Sequence, residues 1–405
     1  MKHSVLILAL GLALLVGVFS GCTKKPDPSL FDPNWQSAPA PTIASLTYPA
    51  PALAGVSTVT ITGTNFSLVK ANNIVYFDAT PASILSVSAT QISVRAPNLV
   101  KDTIQVTVAV QGSQYLSNYV PIKLVAAVAP FGALASSETP YGVECDTAGN
   151  VYCSIISGGT GIGVKKFTPA GVRTDFSPQF SSALNHWSAL KFGPGQFLYA
   201  AAGRAIIFRM PAAGGASAVW ANTIGGNVSD FDFDQAGNIW GCGNSGVLVE
   251  VKQNLTKKTF PFLGSAFSAR VYGTNLYVAA HRDSLVKIWS LPIIGDSLGP
   301  EQVYFDFGSH YSGFDAYAIT FSSDGNLFVG TNAPDAIVRV HGDGTYEPYY
   351  PGLLLPQPIA FAWGKGSTMY LSRGGSVNPT IMQSVIMATA TTPFTSAPYY
   401  GRTLP

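Results

Sequence analysis

In a chain of 405 residues with 23 Lys and Arg, 21 Asp and Glu, 5 His and 4 Cys, side chains that could do chemistry are sparse. Nucleophilic or metal-assisted catalysis would announce itself through a G-x-S-x-G elbow, an H-E-x-x-H helix, a phosphate-binding glycine loop or a C-x-x-C pair, and none occurs. No catalytic residue, cofactor or metal site is therefore assigned. Instead there are aromatic rings, amides and charges that recur at similar spacings: Tyr141, His186, Trp187, Asn227, Asp315 and Tyr317, then His281, Arg282, Asn332 and Arg373. Flat rings offer stacking surface and amides offer directional hydrogen bonds, which is the chemistry of ligand recognition. Trp187 is expected to be an exposed stacking platform. A second set, Asp230 with Arg270 and Glu144 with Lys191 and Asp232, places opposite charges at corresponding points of neighbouring units. Such charges either satisfy one another or meet a ligand.

The elements that position these residues follow from a repeat. YGVECDTAGNVYCS, SALKFGPGQFLYAA, SDFDFDQAGNIWGC, SARVYGTNLYVAA, YAITFSSDGNLFVG and IAFAWGKGSTMYLS are six copies of strand, tight turn and strand. Their second-strand aromatics, Tyr152, Tyr199, Trp240, Tyr277, Phe328 and Tyr370, are separated by 47, 41, 37, 51 and 42 residues, the spacing of four-stranded propeller blades. Aligning the first strands gives one column of Gly142, Ala189, Asp230, Ala269, Ala318 and Ala360, and a second of Val143, Leu190, Phe231, Arg270, Ile319 and Phe361. A third reads Glu144, Lys191, Asp232, Val271, Thr320 and Ala362, with one cation between two anions. Loops leading into the first strand and out of the second share one face of a propeller. Residues Tyr141 to Tyr317 of the first set belong to the leading loops; His281, Arg282, Asn332 and Arg373, with Arg204, Asn244 and Asp335, belong to the loops leaving.

Residues 42–125 alternate apolar and polar in short runs such as STVTITG, NIVYF and IQVTVAV between Gly, Pro and Asn turns, which predicts an antiparallel sandwich. The string PTIASLTYPAPALAGVSTVTITGTNF with VYFDATPASILSVSATQISVRAP resembles the IPT/TIG immunoglobulin-like domain, in which Gly63, Thr64, Asn65 and Phe66 would form a turn and plug the core. The repeat, which begins at about residue 136 within a propeller unit of 126–405 and carries a D-x-x-G-N-x-Y hairpin, resembles NHL-type six-bladed propellers. The fold class expected is all-β, an Ig-like sandwich followed by a six-bladed propeller.

Residues 1–21 carry a cationic start and an apolar run from Val5 to Phe19, and Ser20-Gly21 precede Cys22 as in the bacterial lipobox, a signal resemblance that implies acylation of Cys22. Residues 22–41, rich in Pro, Ser and Ala, read as a tether. Cys145, Cys153 and Cys242 allow at most one internal disulfide, and buried free thiols are expected. A formal net charge of +2 lacks the basic excess of a nucleic-acid binder.

The functional expectation is a noncatalytic protein of the cell envelope, an outer-membrane lipoprotein touching the membrane through Cys22, whose propeller binds a glycan, peptide or protein. The alternatives are a calcium-dependent, gluconolactonase-like or other propeller hydrolase, and a structural subunit of an envelope complex. For calcium, the corresponding positions hold Thr139, His186, Asn227, Ala266, Asp315 and Gln357, a set with few carboxylates.

Overall fold

The computed structural model describes residues 34–374 and 377–403. Cys22 and the signal segment lie outside the described residues. The first unit is two four-stranded antiparallel sheets face to face: Thr42–Thr47, Thr58–Thr64, Gln91–Arg95 and Ser83–Val87 pair in that order, opposite Thr80–Pro81, Asn73–Phe77, Lys101–Val110 and Val120–Leu124. Alternating residues meet in the core, where Val59, Ile61, Val75, Phe77, Ile92, Val94, Val106 and Val108 are completely buried. Asn65 adopts a left-handed backbone and Phe66 enters this core. At Gly63 a Cβ would lie 1.9 Å from the Thr42 carbonyl oxygen, so no other residue fits that close crossing.

Six further sheets follow, each antiparallel and each beginning with the strand nearest the ring's axis: Glu138–Cys145, Ala189–Phe192, Asp230–Phe233, Ser265–Tyr272, Ala316–Phe321 and Ala360–Trp363. Each pairs with a second strand carrying the repeated aromatic, and all six aromatics are buried between blades. The repeated hairpin has a side-chain function beyond its backbone turn. In blade one Asp146 accepts hydrogen bonds from Asn150 Nδ2 at 2.7 Å and from the Tyr152 hydroxyl at 3.0 Å; in blade three Asp234 accepts from Asn238 Nδ2 at 3.0 Å and Trp240 Nε1 at 2.9 Å. The motif locks its own turn to the aromatic that packs the blade.

The ring closes with a strand from before the repeat. Val128–Phe131 pairs with Ile381–Ile386 as the outermost strand of the sixth blade, so that blade is built from both ends of the propeller sequence. The sandwich docks beside this closure. Leu53 and Val56 share an apolar cluster with Tyr349, Tyr350, Leu354 and Met387, and the Thr58 amide donates to the Ala390 carbonyl at 3.1 Å.

Cys145, Cys153 and Cys242 are free and buried. Cys145 pairs with Val151 and Cys153 with Val143, a diagonal placement inside an apolar cluster, and burial pushes the Cys153 thiol up to about 12.

Candidate functional site

Blade four has a shorter hairpin than its neighbours, Gly273-Thr274 between paired Tyr272 and Asn275, and this shifts its alignment by one residue. Across the ring, the residue opposite the repeated aromatic is Glu144, Lys191, Asp232, Arg270, Thr320 and Ala362 in turn. All three columns read from sequence are therefore corrected in blade four: Ser268, Ala269 and Arg270 stand where Ala269, Arg270 and Val271 were set, and Arg270 faces the aromatic. Four consecutive blades present anion, cation, anion, cation to the tunnel, and Asp230 stands two residues above Asp232 on the same strand face.

These charges are buried and hydrogen-bonded. Asp230 Oδ2 accepts from Arg270 Nη1 at 2.7 Å, Ser268 Oγ at 2.6 Å and the Ala269 amide at 3.1 Å. Asp232 accepts from the Val271 and Phe233 amides, each at 3.0 Å. Lys191 Nζ lies 3.5 Å from Glu144. Burial raises the Asp232 carboxyl above its ordinary range against the opposing pull of Lys191 and Arg270. For Arg270 burial works against the charge, but Asp230 and Asp232 outweigh it and hold the guanidinium protonated.

Above this layer a cavity of about 300 Å³ opens on the face of the leading loops, and all six blades line it. Tyr141, Phe267, Tyr317 and Phe361 supply aromatic wall; Ser188, Ser229, Ser265 and Asn244 supply polar groups; Lys191, Asp230 and Arg270 form the ionic floor. Beneath, the C-terminal segment crosses the opposite mouth. The Ala397 amide donates to the Phe321 carbonyl at 3.2 Å, the Ser323 amide to the Thr395 carbonyl at 2.8 Å and the Tyr399 hydroxyl to the Phe192 carbonyl, while Ser396 to Tyr399 line the tunnel's far end with Glu144 and Asp232. The cavity is thus a well with a floor.

Of the residues singled out in the sequence, Tyr141, Asp230, Arg270 and Tyr317 line the well. His186 stacks on Tyr141 with ring centroids 3.9 Å apart, and burial lowers its pKa. His281 Nε2 meets Asp315 at 2.6 Å and packs edge-on against Phe267, while Asn332 Oδ1 accepts from the Asp315 amide at 2.7 Å. Asn227 Nδ2 donates to Asn244 at 3.1 Å. Three expectations are corrected. Trp187 is 0% exposed, packed on Phe208 between the first and second blades, and offers no platform to a ligand. Arg282 turns to the flank of blade four, where Glu301 holds it at 2.5 and 2.9 Å over the Trp289 ring. Arg373 is buried and donates to the Pro356 and Pro379 carbonyls. The wall residues Phe267 and Phe361, and the serines ahead of the inner strands, escaped the sequence reading. The recurrence of Ser188 and Ser229 directly before a first strand was their signal, whereas Ser265 lies inside its strand and had none.

Calcium does not fit this set: among the described residues no group of three or more His, Cys, Asp or Glu side chains converges, and Asp230 and Asp315 are each engaged by a neighbour.

The IPT/TIG domain family matches residues 41–123. No curated protein matches the chain. Among solved structures, a structural genomics protein of unknown function from Bacteroides thetaiotaomicron is 13% identical, with a TM-score of 0.50 over 88% of this chain and 100% of its own. A putative gluconolactonase is 11% identical, with a TM-score of 0.50 over 67% of this chain and 94% of its own. An auxiliary nutrient binding protein from Bacteroides thetaiotaomicron is 9% identical, with a TM-score of 0.48 over 87% of this chain and 98% of its own. At such identities the likeness is one of fold alone.

Proposed function

We propose that this chain is a binding protein of the cell envelope, held by an acylated Cys22, whose tunnel well takes one ring-sized polar unit of a larger ligand such as a glycan or peptide. The observation that carries the reading is the well: closed beneath by the C-terminal segment, walled by four aromatic rings, and floored by charges that already satisfy one another. A self-neutralised floor orients a ligand's hydroxyl or amide groups without demanding a strongly charged one, and the rings accept its apolar face. The volume suits a single ring better than a folded protein surface, so a protein partner would enter by an exposed side chain.

Calorimetric titration with mono- and oligosaccharides and short peptides tests this. A ligand found in that screen loses about 2 kcal/mol of affinity, or more, in Tyr317→Ala or Tyr141→Ala, as an aromatic anchor does on truncation. Affinity that survives both substitutions removes the well as the site.

One observation favours the hydrolase alternative. The Asp315 carboxylate against His281, with the Tyr317 hydroxyl hydrogen-bonded beside it, is an arrangement that can hold an imidazole for proton transfer at the rim of the well. Turnover of a lactone or ester that is lost in His281→Gln would establish it. Mass spectrometry of the mature chain tests acylation, which predicts Cys22 as a lipid-modified first residue.

A further inference from the structure

The two ends of the sandwich differ in charge. Of its six charged residues, Asp78, Arg95, Lys101, Asp102 and Lys123 lie towards the propeller, where Lys101 pairs with Asp78 at 2.8 Å, Lys123 with Asp102 at 2.6 Å, and Arg95 borders the junction with Arg339. The far end is assembled from residues 34–40, 65–72, 88–90 and 111–118, which the strand register brings together: Asn73 pairs with Val110, the Gly63 amide bonds to Thr90, and the Ala38 amide bonds to Gly112 at 2.8 Å. Lys70 is the one charged residue in these four segments. Large apolar side chains stand out from them: Leu68 is 73% exposed, Tyr115 64%, Val69 56%, Trp35 54% and Leu116 52%.

A soluble end would carry charges at such turns, and scattered single apolar residues would need no explanation. Here they cluster on consecutive loops of one end. The chain also enters the described structure at this end. Ser37 Oγ accepts from the Gln114 amide at 2.8 Å, so the path from Cys22 arrives beside Tyr115 after at most ~40 Å of extended chain between Cys22 and Asn34. An anchored Cys22 keeps the tip within that reach of the bilayer. Trp and Tyr beside aliphatic side chains, a lone lysine and no acid are the composition that settles at a lipid interface, where indole and phenol bury their apolar bodies and keep a polar group wet.

We propose that the sandwich tip formed by Trp35, Leu68, Val69, Tyr115 and Leu116 is a membrane-contact surface that rests on the lipid holding Cys22, a proposal that builds on the anchored reading above. Contact at the tip stands the sandwich on end, and the ten-residue strand Lys101–Val110, ~33 Å long, lifts the propeller clear of the headgroups.

Fluorescence quenching on vesicles of brominated phosphatidylcholine tests this with the full mature chain, acylated. The other five tryptophans belong to the propeller, so the quenched fraction expected for the wild-type protein disappears in Trp35→Phe, and amide exchange of residues 67–70 and 112–116 slows on the same vesicles. Vesicle-bound protein whose quenching is equal in wild type and Trp35→Phe overturns the proposal. So does slowing seen in native membranes but not on lipid alone, because the occupant is then a protein. Should mass spectrometry show an unmodified Cys22, the anchored reading falls separately, and the same measurement on the unacylated chain decides the tip: Trp35-dependent quenching sustains it, and its absence ends it.

Discussion

In the sandwich the buried polar side chains are Ser57, Asn73, Thr107 and Ser117, none of them charged, whereas around the propeller's axis Glu144, Lys191, Asp230, Asp232 and Arg270 are all buried. Both units are antiparallel sheets with the same alternation of apolar residues. The difference is geometric. Two stacked sheets approach to about 10 Å and fill the space between them with side chains, leaving no room for a solvated ion. Six inner strands converging on an axis cannot meet there, and the gap they leave holds charges that reach across to the neighbouring blade. Isolated charges at such depth are costly, so the ring tolerates them as alternating partners. The same gap, widening above the charged layer, is the well.

The largest expected effect distinguishes how the two units close. A fragment of residues 126–405 retains the Val128–Phe131 strand, while 136–405 loses it and leaves the edge of Ile381–Ile386 unpaired. The shorter fragment should show no cooperative thermal unfolding and should aggregate, whereas the longer one melts in a single step. Equal melting of both would mean that the strand is dispensable and the ring is closed otherwise.

Next in size is the ionic layer. Arg270→Met leaves Asp230 and Asp232 without their shared cation and should cost about 3 to 5 kcal/mol in denaturant unfolding, the usual penalty for breaking a buried pair from one side. Adding Asp230→Asn should recover a large part of that loss. If the single variant is neutral, the tunnel charges are solvated rather than coupled.

Comparable in magnitude but opposite in meaning is Trp187→Ala. Full burial between blades predicts a loss of about 3 to 5 kcal/mol from the cavity it leaves, with no separate effect on ligand affinity once the protein is folded. A variant that melts like the wild type but binds less tightly would return Trp187 to the well.

The strand-turn-strand repeat and the sandwich alternation were legible because each rests on local spacing, and the Asp230 and Arg270 pair because the repeat sets the two residues in neighbouring blades. The well was legible in part. Tyr141 and Tyr317 stood out as aromatics in leading loops, but Trp187, in the same kind of loop, turns inward, and only three-dimensional packing decides which way a ring points. Arg270 was assigned to the wrong column because a two-residue turn in place of a longer one moves every position before it by one, and no residue type marks that slip. The closing strand falls in the stretch 126–135 that the sequence reading already gave to the propeller, but its partner lies some 250 residues further along, beyond the reach of periodicity.

The smallest predicted effect concerns acidification. Burial lowers the pKa of His186 below its ordinary 6.5, so the unfolded chain binds the proton more readily than the folded one. The stability that the neutral imidazole contributes is therefore present above 6.5 and is lost as pH falls from there through the depressed value. The partner ring is Tyr141, so the loss should be felt at the mouth of the well. Thermal melts between about pH 7 and about pH 5, the range in which histidine titrates, should decline more steeply for the wild-type propeller than for His186→Gln. The sandwich has no histidine between residues 42 and 125, and the lysine partners of Asp78 and Asp102 hold those carboxyls below their ordinary 3.8, so an isolated sandwich should melt at the same temperature throughout that range. Equal slopes for wild type and His186→Gln would show that the imidazole is solvated, and the stack on Tyr141 would then carry no pH dependence.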